Sequence, residues 1–161
     1  MIMRRMLIGL SSLVAVFFAF VLSAAPTNDL FANRTMLTGT DVTVQGNNVG
    51  ASEESGENIG AFTLRIHTVW YTWTAPTMGV VHLTGTVSNP DFLFVATAFT
   101  GDAVSTLSPA PLTSSGNAVV SAGTVLQIQI GSLYDPWWGW GGGVGDFSLH
   151  LWLEGPESHI S

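Results

Sequence analysis

Beyond residue 25 the chain runs in short segments where apolar and polar positions alternate, cut by Gly, Pro, Asn, Ser and Thr. In "DFSLHLWL" (146–153), Phe147, Leu149, Leu151 and Leu153 share one face, and Ser148, His150 and Trp152 the other. In "TVLQIQI" (124–130), Leu126, Ile128 and Ile130 oppose Val125, Gln127 and Gln129. In "TVWYTWT" (68–74), Val69, Tyr71 and Trp73 alternate with Trp70, Thr72 and Thr74, and in "VVHLTGTV" (80–87), Val81, Leu83 and Val87 oppose Val80, His82 and Thr84. A period of two, with no stretch at helical spacing, predicts strands. The expected strands are Asp41 to Gln45, Thr68 to Thr74, Val80 to Thr86, Phe92 to Phe99, Asn117 to Ser121, Thr124 to Ile130 and Asp146 to Leu153, with an edge piece at Ala61 to Ile66. Phe92 to Phe99 is apolar on both faces and reads as a central strand. Regular short strands separated by turn signals predict an all-β protein, a single antiparallel β-sandwich of about eight strands.

The first 25 residues follow another pattern. Arg4 and Arg5 precede an apolar run from Leu7 to Val21, and the small residues Ser23, Ala24 and Ala25 end it. This predicts a signal-peptide helix over 1–25, cut after Ser23 or Ala24 because Pro26 disfavours cleavage at Ala25. The alternative is an uncleaved anchor, since Leu7 to Ala25 approaches the length that spans a bilayer. The sandwich then covers 26–153, and 154–161 is a short polar tail. The expected location is secreted, extracellular or periplasmic, with no membrane contact after cleavage.

Charge narrows the partners. Residues 26–161 hold two arginines, no lysine and 11 acidic residues, a net charge of −9 with histidines neutral. Such a surface repels phosphate backbones and anionic lipid, so nucleic acid is not an expected partner. The absence of cysteine excludes disulfide staples and thiolate metal sites, and the domain must be held by packing alone.

Several segments taken together resemble bacterial pre-peptidase C-terminal-like domains. "NDLFANRTMLTG" (28–39) and "VTVQGNNVGASEESGEN" (42–58) resemble their opening. "TVWYTWTAPTMGVVHLTG" (68–85) is similar to their most recognisable stretch, an aromatic strand, an Ala-Pro corner, a Gly turn and a second strand. "FLFVATAFTGDAVSTL" (92–107), "AGTVLQIQIGS" (122–132) and "GDFSLHLWL" (145–153) resemble the following strands. The resemblance implies a jelly-roll-like β-sandwich that is exported and non-catalytic, accompanies enzymes or surface proteins, and in some members binds polymers or calcium. The chain departs from the pattern in "IGAFTLRIH" (59–67), in "SPAPLTSS" (108–115) where an acidic pair is usual, and in the lengthened loop before the last strand.

Candidate chemistry is sparse. No nucleophile elbow, zinc-protease helix or phosphate-cradling loop is present, and the four histidines are scattered. Among them His82 and His150 fall on outer strand faces and could be neighbours across a sheet. Glu54 and Glu57 with Asp29 offer hard oxygen ligands for Ca²⁺, against the plainer reading of a solvated acidic loop. The sharpest feature is "YDPWWGWGGGVGD" (134–146), with three tryptophans and five glycines. Adjacent Trp137 and Trp138 cannot both point inward on a strand, so at least one ring is expected at the surface. Outward rings would form a sugar-stacking platform of Trp137, Trp138 and Trp140, with Tyr134 and Asp135 as flanking polar contacts. Inward rings would form a lid on the sandwich end. The expected function is a secreted non-catalytic binding domain contacting a polysaccharide or cell-surface polymer, needing no cofactor unless Ca²⁺ binds. One alternative is a structural or assembly module of exported proteins, and a further one a small hydrolase using loop carboxylates.

Overall fold

The structure, a computed structural model, describes residues 24–57, 64–110 and 117–155. The expected signal helix, residues 61–63 of the expected edge piece and the end of the tail lie outside the described residues. Ten strands occur among the described residues: β1 (Thr35–Leu37), β2 (Asp41–Asn47), β3 (Leu64–Thr74), β4 (Gly79–Val87), β5 (Phe94–Thr100), β6 (Ser108–Pro109), β7 (Ala118–Val120), β8 (Val125–Asp135), β9 (Trp140–Gly141) and β10 (Asp146–Glu154). They form two sheets. One has the order β1-β3-β8-β5-β6, with β9 also paired to β8, and the other β2-β10-β4-β7. β1 runs parallel to β3, and the remaining pairs are antiparallel.

Alternation builds the sandwich. Val69, Tyr71 and Trp73 of β3, and Leu126, Ile128 and Ile130 of β8, face Phe147, Leu149 and Leu151 of β10 and Val81 of β4 in one core. Nearly all of these side chains are fully buried. Two core-facing glycines make room for rings: a Cβ at Gly85 would lie 2.2 Å from the Phe94 ring, and one at Gly46 2.3 Å from that of Phe147. Trp73 satisfies its indole N–H by donating to the Gly39 carbonyl at 2.8 Å, so its burial leaves no orphan donor.

One expectation needs correction. Gln127 and Gln129 alternate with the core residues of β8, a pattern that predicts a polar face, but both are buried. A second layer covers that face of the first sheet. Short 3-10 turns at Phe31–Asn33 and Val104–Thr106 bring Phe31, Val104 and Leu107 over Trp70 and Phe99. Phe31 meets Trp70 edge-on at 5.1 Å. The first sheet is therefore buried on both sides along β3 and β8.

Candidate functional site

The tryptophan-rich segment is a hairpin at one end of the sandwich. β8 continues five residues past the expected end at Ile130 and turns back as β9, pairing Tyr134 with Gly141 and Asp135 with Trp140. Asp135 organises the tip: its Oδ1 accepts the backbone N–H of Trp137 at 2.8 Å and of Trp138 at 3.1 Å, and its carbonyl accepts from Gly139 N at 2.8 Å. This side-chain-mimicked turn is what Asp offers that most residues do not. Gly139 and Gly141 have φ of +64° and +84°, the left-handed region that glycine adopts without strain.

Past the tip, the strand is stitched to the loop before β5. Gly142 N donates to the Leu133 carbonyl at 2.8 Å, Gly143 N to the Asp91 carbonyl at 3.0 Å, and Asn89 Nδ2 to the Val144 carbonyl at 3.0 Å. Glycine is required for these approaches. A Cβ would sit 2.2 Å from the Leu133 oxygen at Gly141 and 2.3 Å from the Asp91 carbonyl carbon at Gly143. A fixed base thus carries a tip whose rings are left in solvent. Trp137 is 84% exposed, Trp138 81% and Trp140 51%. Three indoles exposed to that degree present about 500 Å² of apolar surface, the size of patch that on soluble monomers is commonly functional.

A cleft of about 650 Å³ opens beside Trp140, lined by Gly50, His67, Asn89, Asp91, Gly139 to Gly143 and Val144. His67 enters it from a bulge in β3. Ile66 pairs with Ser132 and Val69 with Ile130, so two residues of β3 oppose Gly131 alone. His67 has φ of +55°, the one non-glycine residue in the left-handed region among those described. The loop after β2 holds it there. His67 N donates to Glu53 Oε1 at 2.7 Å, the His67 carbonyl accepts from Asn48 Nδ2 at 3.1 Å, and Nδ1 lies 3.0 Å from the Ala51 carbonyl. A carbonyl only accepts, so Nδ1 carries the proton. In the neutral ring Nε2 is then an acceptor, with no partner among the described residues.

No family model matches this chain. No curated protein matches it either. Among solved structures, PliG of Salmonella Typhimurium, a periplasmic lysozyme inhibitor of g-type lysozyme, is similar over 75% of this chain and 98% of its own. The sequence identity is 11% and the TM-score 0.38. A likeness of that degree assigns neither family nor activity, so the function has to be argued from the chain's own surface.

The other expected site residues are placed as follows. Tyr134 lies at the hairpin base with its ring against Gly142, where a Cβ would be 3.3 Å from Tyr134 Cδ2. Asp135 spends its carboxylate oxygen on the turn. The acidic trio lies on one side of the domain, yet each member is turned to a donor of the chain itself. Asp29 accepts from Ser52 N at 2.7 Å and Ser52 Oγ at 3.0 Å, and Glu54 accepts from Phe31 N. Glu57 is buried under the second layer, where it accepts from Thr68 Oγ1 at 2.8 Å, Gln129 Nε2 at 3.0 Å and Trp70 Nε1 at 3.3 Å. Among the described residues no three His, Asp or Glu side chains converge as a metal site would require. His82 and His150 both stack on Trp152, at 4.5 and 4.8 Å, and bond to Glu154 and Asp41. That stack lies toward the end of β10 away from the hairpin, so Trp152 does not extend the tryptophan surface.

Sequence reasoning identified the tryptophans and missed the cleft. His67 comes from the β3 bulge and Asn89 and Asp91 from the loop before β5, and no local motif joins them. The only signal was a histidine beside the altered approach to β3.

Proposed function

We propose that this protein is an exported, non-catalytic binding domain that adsorbs to an uncharged polysaccharide through the Trp137–Trp138–Trp140 hairpin. The observation that carries this reading is the exposure of three indoles on a hairpin whose base is fixed by backbone hydrogen bonds. A fold gains nothing from leaving such rings in water, since burying one would contribute about 4 kcal/mol. Sugar rings present apolar C–H faces that stack on indole, and they need no charge on the protein. The excess of acidic residues disfavours anionic polymers and leaves neutral glycans as the class that fits. The segments resembling pre-peptidase C-terminal-like domains support the same kind of role. Binding would be stacking plus hydrogen bonds, with no covalent step.

The test is retention on insoluble cellulose, chitin and β-1,3-glucan, with Trp137→Ala and Trp138→Ala beside the wild type. At least one polymer should retain the wild type and release both variants, while the unfolding free energy stays within the range of neutral surface changes, about 0.5 kcal/mol. Equal loss of retention and of stability would make the rings structural. Retention on none of the polymers would sink the reading, and loss of self-association in the variants would favour an assembly module instead.

A further inference from the structure

The cleft beside Trp140 has features that a flat adsorption surface does not need. It is lined by the glycine strand 141–143, by loop residues Asn89 and Asp91 that are hydrogen-bonded to that strand, and by the bulge residue His67. Bulges re-aim side chains, and a strained backbone persists only where its surroundings enforce it. Here three hydrogen bonds from the 48–53 loop enforce it. They fix Nδ1 on the Ala51 carbonyl and leave Nε2 of this cleft-lining residue with no partner among the described residues. Asp91 lines the same cleft and is exposed; its backbone is engaged by Asn89 and Gly143, and its carboxylate has no partner among the described residues. The cleft therefore combines an aromatic rim, two unspent acceptors and no cation.

Two acceptors and an aromatic face match the hydroxyl groups and the C–H face of a neutral pyranose. They do not match a carboxylate or phosphate, which brings more acceptors and negative charge. Resting on the polysaccharide reading above, we propose that this cleft is a subsite for one sugar residue of the bound chain. Trp140 stacks on its ring, and His67 Nε2 and the Asp91 carboxylate accept hydrogen bonds from its hydroxyls. Trp137 and Trp138 supply adsorption, and the cleft supplies the choice of sugar. The approach to the bulge departs from the resembling family, so the subsite would be a property of this chain.

The experiment uses soluble cellohexaose, chitohexaose and laminarihexaose, each titrated into the full chain by calorimetry and by amide NMR. His67→Asn is the informative variant. Asparagine tolerates the left-handed conformation and keeps a side-chain donor for the Ala51 carbonyl, but it removes Nε2. Asp91→Asn removes charge and half the acceptor capacity at an exposed position and leaves the fold alone. The hexasaccharide of the retained polymer should shift the amides of Gly143 and Gly50, and each variant should weaken it about fivefold or more at unchanged melting temperature. If both variants bind as the wild type does, or the shifts stay within residues 136–139, the subsite is overturned while the tryptophan platform stands. If the wild type is retained on no polymer and binds no hexasaccharide, both proposals fall.

Discussion

Glu57 is the residue whose placement carries the most physical information. Burial in the second layer pushes its carboxyl pKa above 4.5, and the nearby Glu54 carboxylate adds to the rise. Donors from Glu54 N, Thr68 and Trp70 pull the other way without cancelling it. Thr68 Oγ1 lies within bonding distance of both Glu57 oxygens and of the Ser52 carbonyl, yet it has one proton to give. Its proton can go to Glu57 or to the Ser52 carbonyl, not to both. A folded pKa above the unfolded one means that the folded chain holds the proton more tightly. Glu57's contribution is therefore complete below the unfolded pKa and is lost as pH rises through the raised folded value. Glu57→Gln cannot ionise, and its amide can both donate and accept as the protonated acid does. The melting temperatures of wild type and Glu57→Gln, compared from about pH 4 to about pH 8, should differ most in the wild type's favour at the acidic end, with the gap closing or reversing on the alkaline side. A gap independent of pH would show that Glu57 has the same pKa in both states.

At the scale of elements, the hairpin is a lever whose position depends on glycine. Gly143→Ala would force a methyl into the Asp91 backbone and should separate the 141–144 strand from the 89–93 loop. The tip would lose its fixed base, while the sandwich core, which contains no residue of this segment, would remain. Retention on polysaccharide should drop, Gly142 and Gly143 amides should exchange faster with solvent, and exchange within Val69–Thr74 of β3 and Val125–Ile130 of β8 should be unchanged. Exchange accelerated throughout would mean that the hairpin supports the whole domain. The strands themselves were legible because each inward face repeats every second residue. β2, β4, β5, β7 and β10 fall where the pattern predicts them, within two residues at their ends, and β8 runs five residues further. β1, β6 and β9 were not legible, being two or three residues long and defined by their pairing partners. The burial of Gln127 and Gln129 was hidden for a related reason: their cover comes from 3-10 turns far away in sequence. At the site, glycines beside paired tryptophans signalled an exposed ring, but the cleft depends on a bulge, and a two-for-one register cannot be read from one strand.

For the whole molecule the decisive property is the contrast between a strongly acidic surface and a contact patch whose largest part is apolar, the three exposed indoles. From residue 26 onward only Arg34 and Arg65 are cationic, and Arg65 pairs with Leu133 beside the hairpin base. Arg34 is folded over the Phe31 ring at 4.4 Å and donates to the Phe31 carbonyl at 2.8 Å. The guanidinium of Arg65 sits in a setting where burial lowers its pKa. Neither is arranged as a free anion receptor, and stacking through three indoles involves no net charge. An ionic polymer would meet this protein through counterion exchange, and its retention would change steeply with salt, since the screening length falls from about 30 Å at 0.01 M to about 3 Å at 1 M. A neutral glycan held by stacking and short hydrogen bonds is not subject to that screening. Retention on the polymer that binds the wild type should therefore be nearly constant between about 0.01 M and about 1 M sodium chloride, with any change toward tighter binding as salt strengthens apolar association. Retention that collapses across that range would mean that charge carries the contact, and the tryptophan hairpin would no longer be its main determinant.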